Sequence, residues 1–93
     1  MTYDQYFLTY SGIRLPLKMT GPLSADDIDN RNTWFGVKVD EEGRILLIHK
    51  RVYGAVELEH EYAYHPDGSL KEARITDHND DDEDARILSF PAE

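Results

Sequence analysis

The sequence contains no cysteine among its 93 residues, which excludes disulfides, thiolate metal sites and cysteine nucleophiles. Basic residues are also scarce. Ten Lys and Arg against nineteen Asp and Glu give a net charge of −9, which argues against binding to a phosphate backbone. The longest apolar run, residues 45–48, falls far short of the roughly 20 residues that a membrane helix requires. The first residues show neither the basic nor the apolar part of a secretory signal. We therefore expect a cytoplasmic protein that binds neither nucleic acid nor membranes.

The apolar content is nevertheless sufficient for one small core, since 40% of the residues are hydrophobic and 11% are aromatic. Apolar residues recur mostly at every second position, which is typical of strands. We predict a mainly β protein with one short helix, built as a single-domain antiparallel β-meander of about six strands. The predicted units are an N-terminal hairpin (1–19), a loop with a short helix (20–32), a four-stranded meander (33–76), an acidic mobile loop (77–84) and a short C-terminal strand with its tail (85–93).

The first unit is predicted as two strands, Tyr3–Tyr10 and Ile13–Met19. Pro16 has no N–H for a strand ladder, so the second strand should lie at an edge of the sheet or end there. Residues 20–22 (Thr-Gly-Pro) should end the hairpin. Ser24, followed by two aspartates, is typical of a helix N-cap and predicts one or two helical turns.

Three turns predict the register of the meander: a three-residue loop closed by Gly43 and two-residue loops at Tyr53-Gly54 and Asp67-Gly68. The predicted pairs are Val39–Ile45 and Val37–Leu47, Val52–Ala55 and His49–Leu58, and Tyr62–Ala73 and His60–Ile75. This register places the apolar side chains and both histidines on one face. The opposite face would carry Glu57, Glu59 and Glu61 with Trp34, Leu46 and Ile48.

Four segments resemble a small bacterial family known as a domain of unknown function: Tyr10–Ile13, Leu15–Lys18, Arg31–Thr33 and Val52–His60. The resemblance implies a soluble bacterial protein of about this length. It implies no activity, cofactor or catalytic residue. The turns at Asp40–Ile45 and His65–Leu70 are similar to the tyrosine-aspartate repeats of Rhs-type shell proteins.

The predicted register brings His49 and His60 into diagonal positions on adjacent strands, about 7–8 Å apart. Tyr62 and Tyr64 would share their face. Such a group could form a polar pocket for acid–base or metal chemistry. The alternative is that these side chains form hydrogen bonds within a half-covered sheet. No third ligand occurs at a metal-binding spacing, so we predict no metal and no cofactor.

Two further features have a functional and a structural interpretation. Arg31 and Trp34, at the entry to a predicted strand, are residue types common in binding hot spots, but they could equally fix the loop. Residues 77–82 begin like a calcium-binding loop, but an aspartate at position 82 and a leucine at position 88 replace the glycine and glutamate that such a loop needs. We expect a solvated acidic loop.

These observations favour a non-catalytic interaction or accessory module. Its aromatic residues Tyr3, Tyr6, Tyr10 and Trp34 exceed what a small core needs, and its partner would be another protein or a second copy paired through an edge strand, at Ile13–Met19 or Ser69–Thr76. The alternative is a small-molecule or metal-binding module that uses His49, His60, Tyr62 and Tyr64. An enzyme is the third and least favoured hypothesis, because the sequence shows no catalytic residues at a recognised spacing.

Overall fold

Seven strands form one antiparallel sheet in the computed structural model, which describes residues 3–11, 15, 17–29, 31–78 and 84–91. The order across the sheet is β2-β1-β3-β4-β5-β6-β7. The mainly β, single-domain prediction is confirmed, with seven strands instead of about six. The elements are β1 (Gln5–Ser11), β2 (Lys18–Leu23), α1 (Ala25–Ile28), β3 (Thr33–Val39), β4 (Ile45–Val52), β5 (Ala55–Tyr64), β6 (Leu70–Asp77) and β7 (Asp84–Ser89).

The N-terminal hairpin extends the sheet, because β1 pairs with β3 on one side and with β2 on the other. The prediction that residues 20–22 end the second strand is wrong, since β2 runs through Gly21 and Pro22. An edge strand tolerates this proline because one side of its backbone makes no ladder. The predicted positions 13, 14 and 16 lie outside the described residues.

The short helix begins where the sequence predicted. Ser24 accepts a hydrogen bond from the backbone N–H of Asp27 at 3.2 Å, and the Asp27 carboxylate accepts one from the N–H of Ser24 at 3.0 Å. This reciprocal capping satisfies two of the N–H groups that a helix start leaves unpaired. The same hydrogen bonds lower the pKa of Asp27.

Two of the predicted turns are three-residue loops with the same construction. In one, the N–H of Gly43 donates to the Asp40 carbonyl at 3.0 Å, and Gly43 has a φ of +83°. In the other, Gly68 donates to His65 at 2.9 Å. A left-handed glycine at this position returns the chain into the second strand. The Asp67-Gly68 loop is therefore one residue longer than predicted.

The register departs from the prediction in the first two hairpins of the meander, because each strand pair contains a β-bulge. Val39 pairs with Ile45 as predicted, but a register shift beyond this pair places Val37 opposite Ile48 instead of Leu47. A bulge adds one residue to one strand and so reverses which face each following side chain occupies.

The second shift, between Lys50 and Arg51, makes His49 pair with Glu59 instead of Leu58. The third hairpin departs from the prediction twice: its loop is one residue longer, and a register shift follows between Ala63 and Tyr64. The two departures cancel, so the pairing beyond them is the predicted one. The predicted pairs Tyr62–Ala73 and His60–Ile75 are therefore confirmed.

The core lies on the sheet face that includes Val37 and Ile48, which is 3% exposed. The prediction that placed Ile48 on the outer face and Leu47 in the core is wrong for this reason, and Leu47 is half-buried on the other face. The buried cluster consists of Leu17, Val37, Ile48, Tyr62 and Ala73.

Candidate functional site

The two histidines of the predicted pocket lie on opposite faces of the sheet. His60 pairs with Ile48 and Ile75 and shares the core face. His49 pairs with Gly36 and Glu59 and points the other way. The prediction of one shared face for His49 and His60 is therefore wrong, because the bulge between β4 and β5 shifts the pairing of these two strands by one residue.

On the core face, His60 and Tyr62 form a buried hydrogen-bonded pair. The Tyr62 hydroxyl lies 2.7 Å from His60 Nδ1 and accepts the backbone N–H of Leu17 at 3.4 Å. The Tyr62 oxygen, which has two lone pairs and one proton, thus joins His60 on β5 to the backbone before β2. Burial lowers the pKa of His60 and raises the pKa of Tyr62 to about 12. Both groups are therefore neutral near pH 7.

Tyr64, the fourth residue of the predicted group, lies farther along the same strand. Its hydroxyl donates to the Ile45 carbonyl, and the Arg44 guanidinium lies 5.1 Å from its ring centroid. Burial is the main cause that raises the pKa of Tyr64. Of the predicted group, the structure thus brings His60, Tyr62 and Tyr64 together on one strand and separates His49 from them.

The burial of His60 predicts a pH dependence of stability. The pKa of His60 in the folded protein lies below the ordinary value of 6.5, so the unfolded chain binds the proton more readily. The free energy of unfolding therefore falls as the pH drops below about 6.5. We expect the free energy of unfolding in urea to fall more for the wild type than for His60→Gln between about pH 7.5 and about pH 5. Equal losses for the two proteins would contradict this assignment.

On the opposite face, four side chains form what we call the His49 chain: Arg51, Tyr3, His49 and Glu59. Arg51 Nη1 donates to the Tyr3 oxygen at 3.4 Å. The Tyr3 hydroxyl lies 2.8 Å from His49 Nδ1, and His49 Nε2 lies 2.6 Å from a Glu59 carboxylate oxygen. Because a carboxylate can only accept, His49 donates from Nε2 to Glu59, and the other nitrogen of the neutral imidazole, Nδ1, accepts from the Tyr3 hydroxyl.

Acid–histidine–hydroxyl chains can move protons in enzymes, but the Tyr3 hydroxyl at the end of this one is covered. Tyr3 is 7% exposed and His49 is 2% exposed. The Tyr3 oxygen is already occupied by Arg51 and His49. The arrangement therefore fixes the N-terminal segment onto the sheet. Sequence analysis missed Glu59, because the bulge that aligns it with His49 carries no clear sequence signal. It missed Arg51, because the contact between Arg51 and His49 runs through the distant residue Tyr3.

Tyr3 also packs on the backbone of Gly36 and joins an aromatic cluster. Its ring makes edge contacts with Trp34 and His49, each with centroids 5.6 Å apart, and with Tyr6 at 6.1 Å. Trp34 also lies beneath the Arg51 guanidinium at 5.8 Å. Trp34 thus packs within this cluster, and its predicted binding role stays a prediction.

Arg31, the other predicted hot-spot residue, is exposed and follows α1. Its backbone N–H donates to the Ile28 carbonyl at 3.1 Å, which continues the helical turn. Its predicted binding role stays a prediction.

The His49 chain gives a testable hydrogen-bond contribution. Tyr3→Phe keeps the ring but leaves His49 Nδ1 buried without a donor, which should cost about 1–3 kcal/mol of unfolding free energy. Tyr6→Phe is the matched control, because the structure gives the Tyr6 hydroxyl no hydrogen bond to another described residue and its loss should cost under about 0.5 kcal/mol. Urea denaturation followed by circular dichroism measures both. Similar losses in the two variants would argue against the chain.

Two surface depressions contain charged side chains and lack both histidines. One, of about 160 Å³, is lined by Glu61, Tyr62, Ala63, Glu72 and Arg74, and the other, of about 240 Å³, lies at the turn formed by Asp40, Glu41, Glu42 and Arg44. Both are smaller than the roughly 300–1,000 Å³ of ordinary ligand pockets.

Among the described residues, no group of three His, Asp or Glu side chains could hold a metal ion. Positions 79 and 81 of the acidic loop lie outside the described part of the chain.

The two outer strands of the sheet are β2 and β7. The prediction that Ser69–Thr76 forms an edge is wrong, because β7 pairs along β6 and covers it. At this outer strand Ile87 is 57% exposed. Its neighbour across the ladder is Arg74.

Comparison with known proteins gives one match. The model of a family described as a family of unknown function (DUF6156) matches residues 2–93. No curated protein and no solved structure matches the chain. The likeness to tyrosine-aspartate repeats gains no support from these comparisons. Among the described residues, no helix is long and apolar enough to cross a membrane.

Proposed function

The chain belongs to DUF6156, a family of unknown function, and we propose that it is a non-catalytic interaction module whose partner adds a strand at β7. The observation that carries the proposal is the regular outer edge of this strand, along which no other described strand pairs. We include in the proposal that the protein is bacterial, as the family resemblance implies, and cytoplasmic, as expected from its composition.

The ladder between β6 and β7 provides a regular template for another strand. It runs through six consecutive residue pairs, from Glu72–Ser89 to Asp77–Asp84, without a register shift. The three hairpins that precede it each contain a shift. β7 contains neither proline nor glycine. An unpaired, regular edge of this kind binds extended segments through main-chain hydrogen bonds.

The opposite edge is protected against such pairing. Pro22 in β2 has no N–H to donate, and Gly21 has a φ of +70°, outside the extended range. The helix α1 also contacts β2. The two edges therefore differ in their capacity to accept a partner, and the difference favours β7.

The internal use of the polar side chains supports a non-catalytic module over the alternative of a ligand-binding pocket. His60 and His49 each form hydrogen bonds within the fold, one to Tyr62 and the other to Tyr3 and Glu59. These contacts direct the imidazoles into the protein. The described residues thus favour a binding surface over an active site.

Site-specific photocrosslinking in the native cell tests the proposal. A photoreactive phenylalanine analogue at position 87 should give a discrete adduct. The same analogue at Tyr53, which is 79% exposed at a hairpin tip, should not give that adduct. Ala85→Pro, which removes a backbone donor within β7, should abolish it while circular dichroism shows a folded sheet. No adduct from position 87, or the same adduct from position 53, would contradict the proposal.

A further inference from the structure

Resting on the proposed function, we propose that the partner at β7 is a second copy of this chain, paired antiparallel through β7 about a twofold axis with Ile87 at its centre. Edge pairing of this kind makes one continuous sheet from two copies.

Charge is the first obstacle to self-association, because each copy carries −9. The two strands at this edge are locally neutral. Their three basic residues match their three acidic ones: Lys71, Arg74 and Arg86 against Glu72, Asp77 and Asp84. The repulsion that opposes a like-charged partner is therefore smallest for a contact confined to these strands.

Symmetry restricts the register of the pair. A twofold axis perpendicular to the sheet keeps each face continuous, so residues opposite each other must come from the same face. An axis at Arg86 would place two guanidinium groups against each other. An axis at Ile87 instead places the two isoleucines together, with their Cβ atoms about 4.5–5.5 Å apart. This second register buries the most exposed apolar side chain of the strand.

The neighbours of Ile87 suit this arrangement. Arg74 stands opposite Ile87 in the β6–β7 ladder, so its aliphatic stem can cover the isoleucine pair while its guanidinium remains in water. On the other face, Arg86 would lie opposite Leu88 of the second copy. No pair of like charges meets across the axis in this register.

Antiparallel pairing also separates the two ends of β7 at which the strand begins with Asp84. In the register centred on Ile87 these two ends are roughly 20 Å apart, for six residues of strand. This exceeds the screening length of about 8 Å at physiological ionic strength. A parallel arrangement would bring the two Asp84 ends side by side, which disfavours it.

The contact consists mainly of one strand pair, so it falls below the roughly 1,200 Å² of a standard stable interface. We therefore expect a concentration-dependent dimer with a dissociation constant of roughly 10–100 µM. Sedimentation velocity from about 10 µM to about 1 mM should show the mass of the wild type rising toward twice that of the monomer. A monomer over the whole range would overturn the proposal.

Two substitutions test the register. Ile87→Lys places two ammonium groups on the axis and should raise the dissociation constant at least about tenfold. Tyr53→Lys makes the same charge change at an exposed position away from β7 and should leave it unchanged. Ile87→Cys, in a chain without other cysteines, should form a disulfide-linked dimer on mild oxidation faster than Tyr53→Cys. Unaltered dimerisation of Ile87→Lys, or equal oxidation rates, would overturn this register.

The crosslinking adduct at position 87 separates this inference from the proposed function. A mass of twice the chain supports the second copy. A discrete adduct with a different protein overturns the second copy and leaves strand addition at β7 intact. The absence of any adduct overturns both.

Discussion

Gly36→Ala is expected to lower the free energy of unfolding by about 2–4 kcal/mol, because the added methyl group and the Tyr3 ring cannot occupy the same space. A Cβ at position 36 would lie 2.5 Å from Tyr3 Cγ and 2.6 Å from two further ring atoms. The ring must move away, and its hydroxyl then leaves His49. Chemical denaturation followed by tryptophan fluorescence measures the loss and also reports on Trp34, which contacts Tyr3.

A double-mutant cycle isolates this contact. In a Tyr3→Ala background the ring is absent, so Gly36→Ala should cost less than about 0.5 kcal/mol or should stabilise the strand slightly. The expected interaction energy between positions 3 and 36 is therefore large. Equal costs in the two backgrounds would show that position 36 requires glycine for another reason.

Ile48→Asp is expected to unfold the protein at room temperature, whereas Leu47→Asp should be tolerated. Ile48 is 3% exposed in the core beside Val37, and an unpaired carboxylate there costs several kcal/mol, of the order of the total stability of a small domain. Leu47 is half-buried on the opposite face, opposite Lys38 in the neighbouring strand.

This pair of substitutions distinguishes the two registers of the meander. The register without bulges buries Leu47 and exposes Ile48, so it predicts the reverse outcome. Circular dichroism and the dispersion of amide resonances in NMR report which variant remains folded. A folded Ile48→Asp beside an unfolded Leu47→Asp would overturn the bulged register and, with it, the separation of His49 from His60.

Prediction and structure agree near the loops of the first two hairpins and diverge beyond the bulge in each. Val39–Ile45 and Val52–Ala55 are correct because turn chemistry fixes the pairs close to the loop. Val37–Leu47 and His49–Leu58 are wrong because a bulge follows. Alternation alone could not reveal the bulges, since Leu47 and Ile48 are both apolar and fit either face.

The uncertainty over which face each side chain occupies had its largest effect on the predicted site. Sequence patterning identified His49 and His60 as polar residues within apolar strands, and both are buried. Their partners depend on which face each occupies. Tyr3 lies 46 positions from His49 along the chain, and no local spacing indicates such a contact.

The amino-acid order alone thus determined the strand content, the helix cap at Ser24 and the tight turns, because each of these depends on residues within a few positions of one another. The tertiary structure decided which face each histidine occupies, which strand forms the open edge and why position 36 has no side chain. These features depend on bulges and on contacts between distant segments, where small differences in packing energy choose between two registers that satisfy the same local pattern.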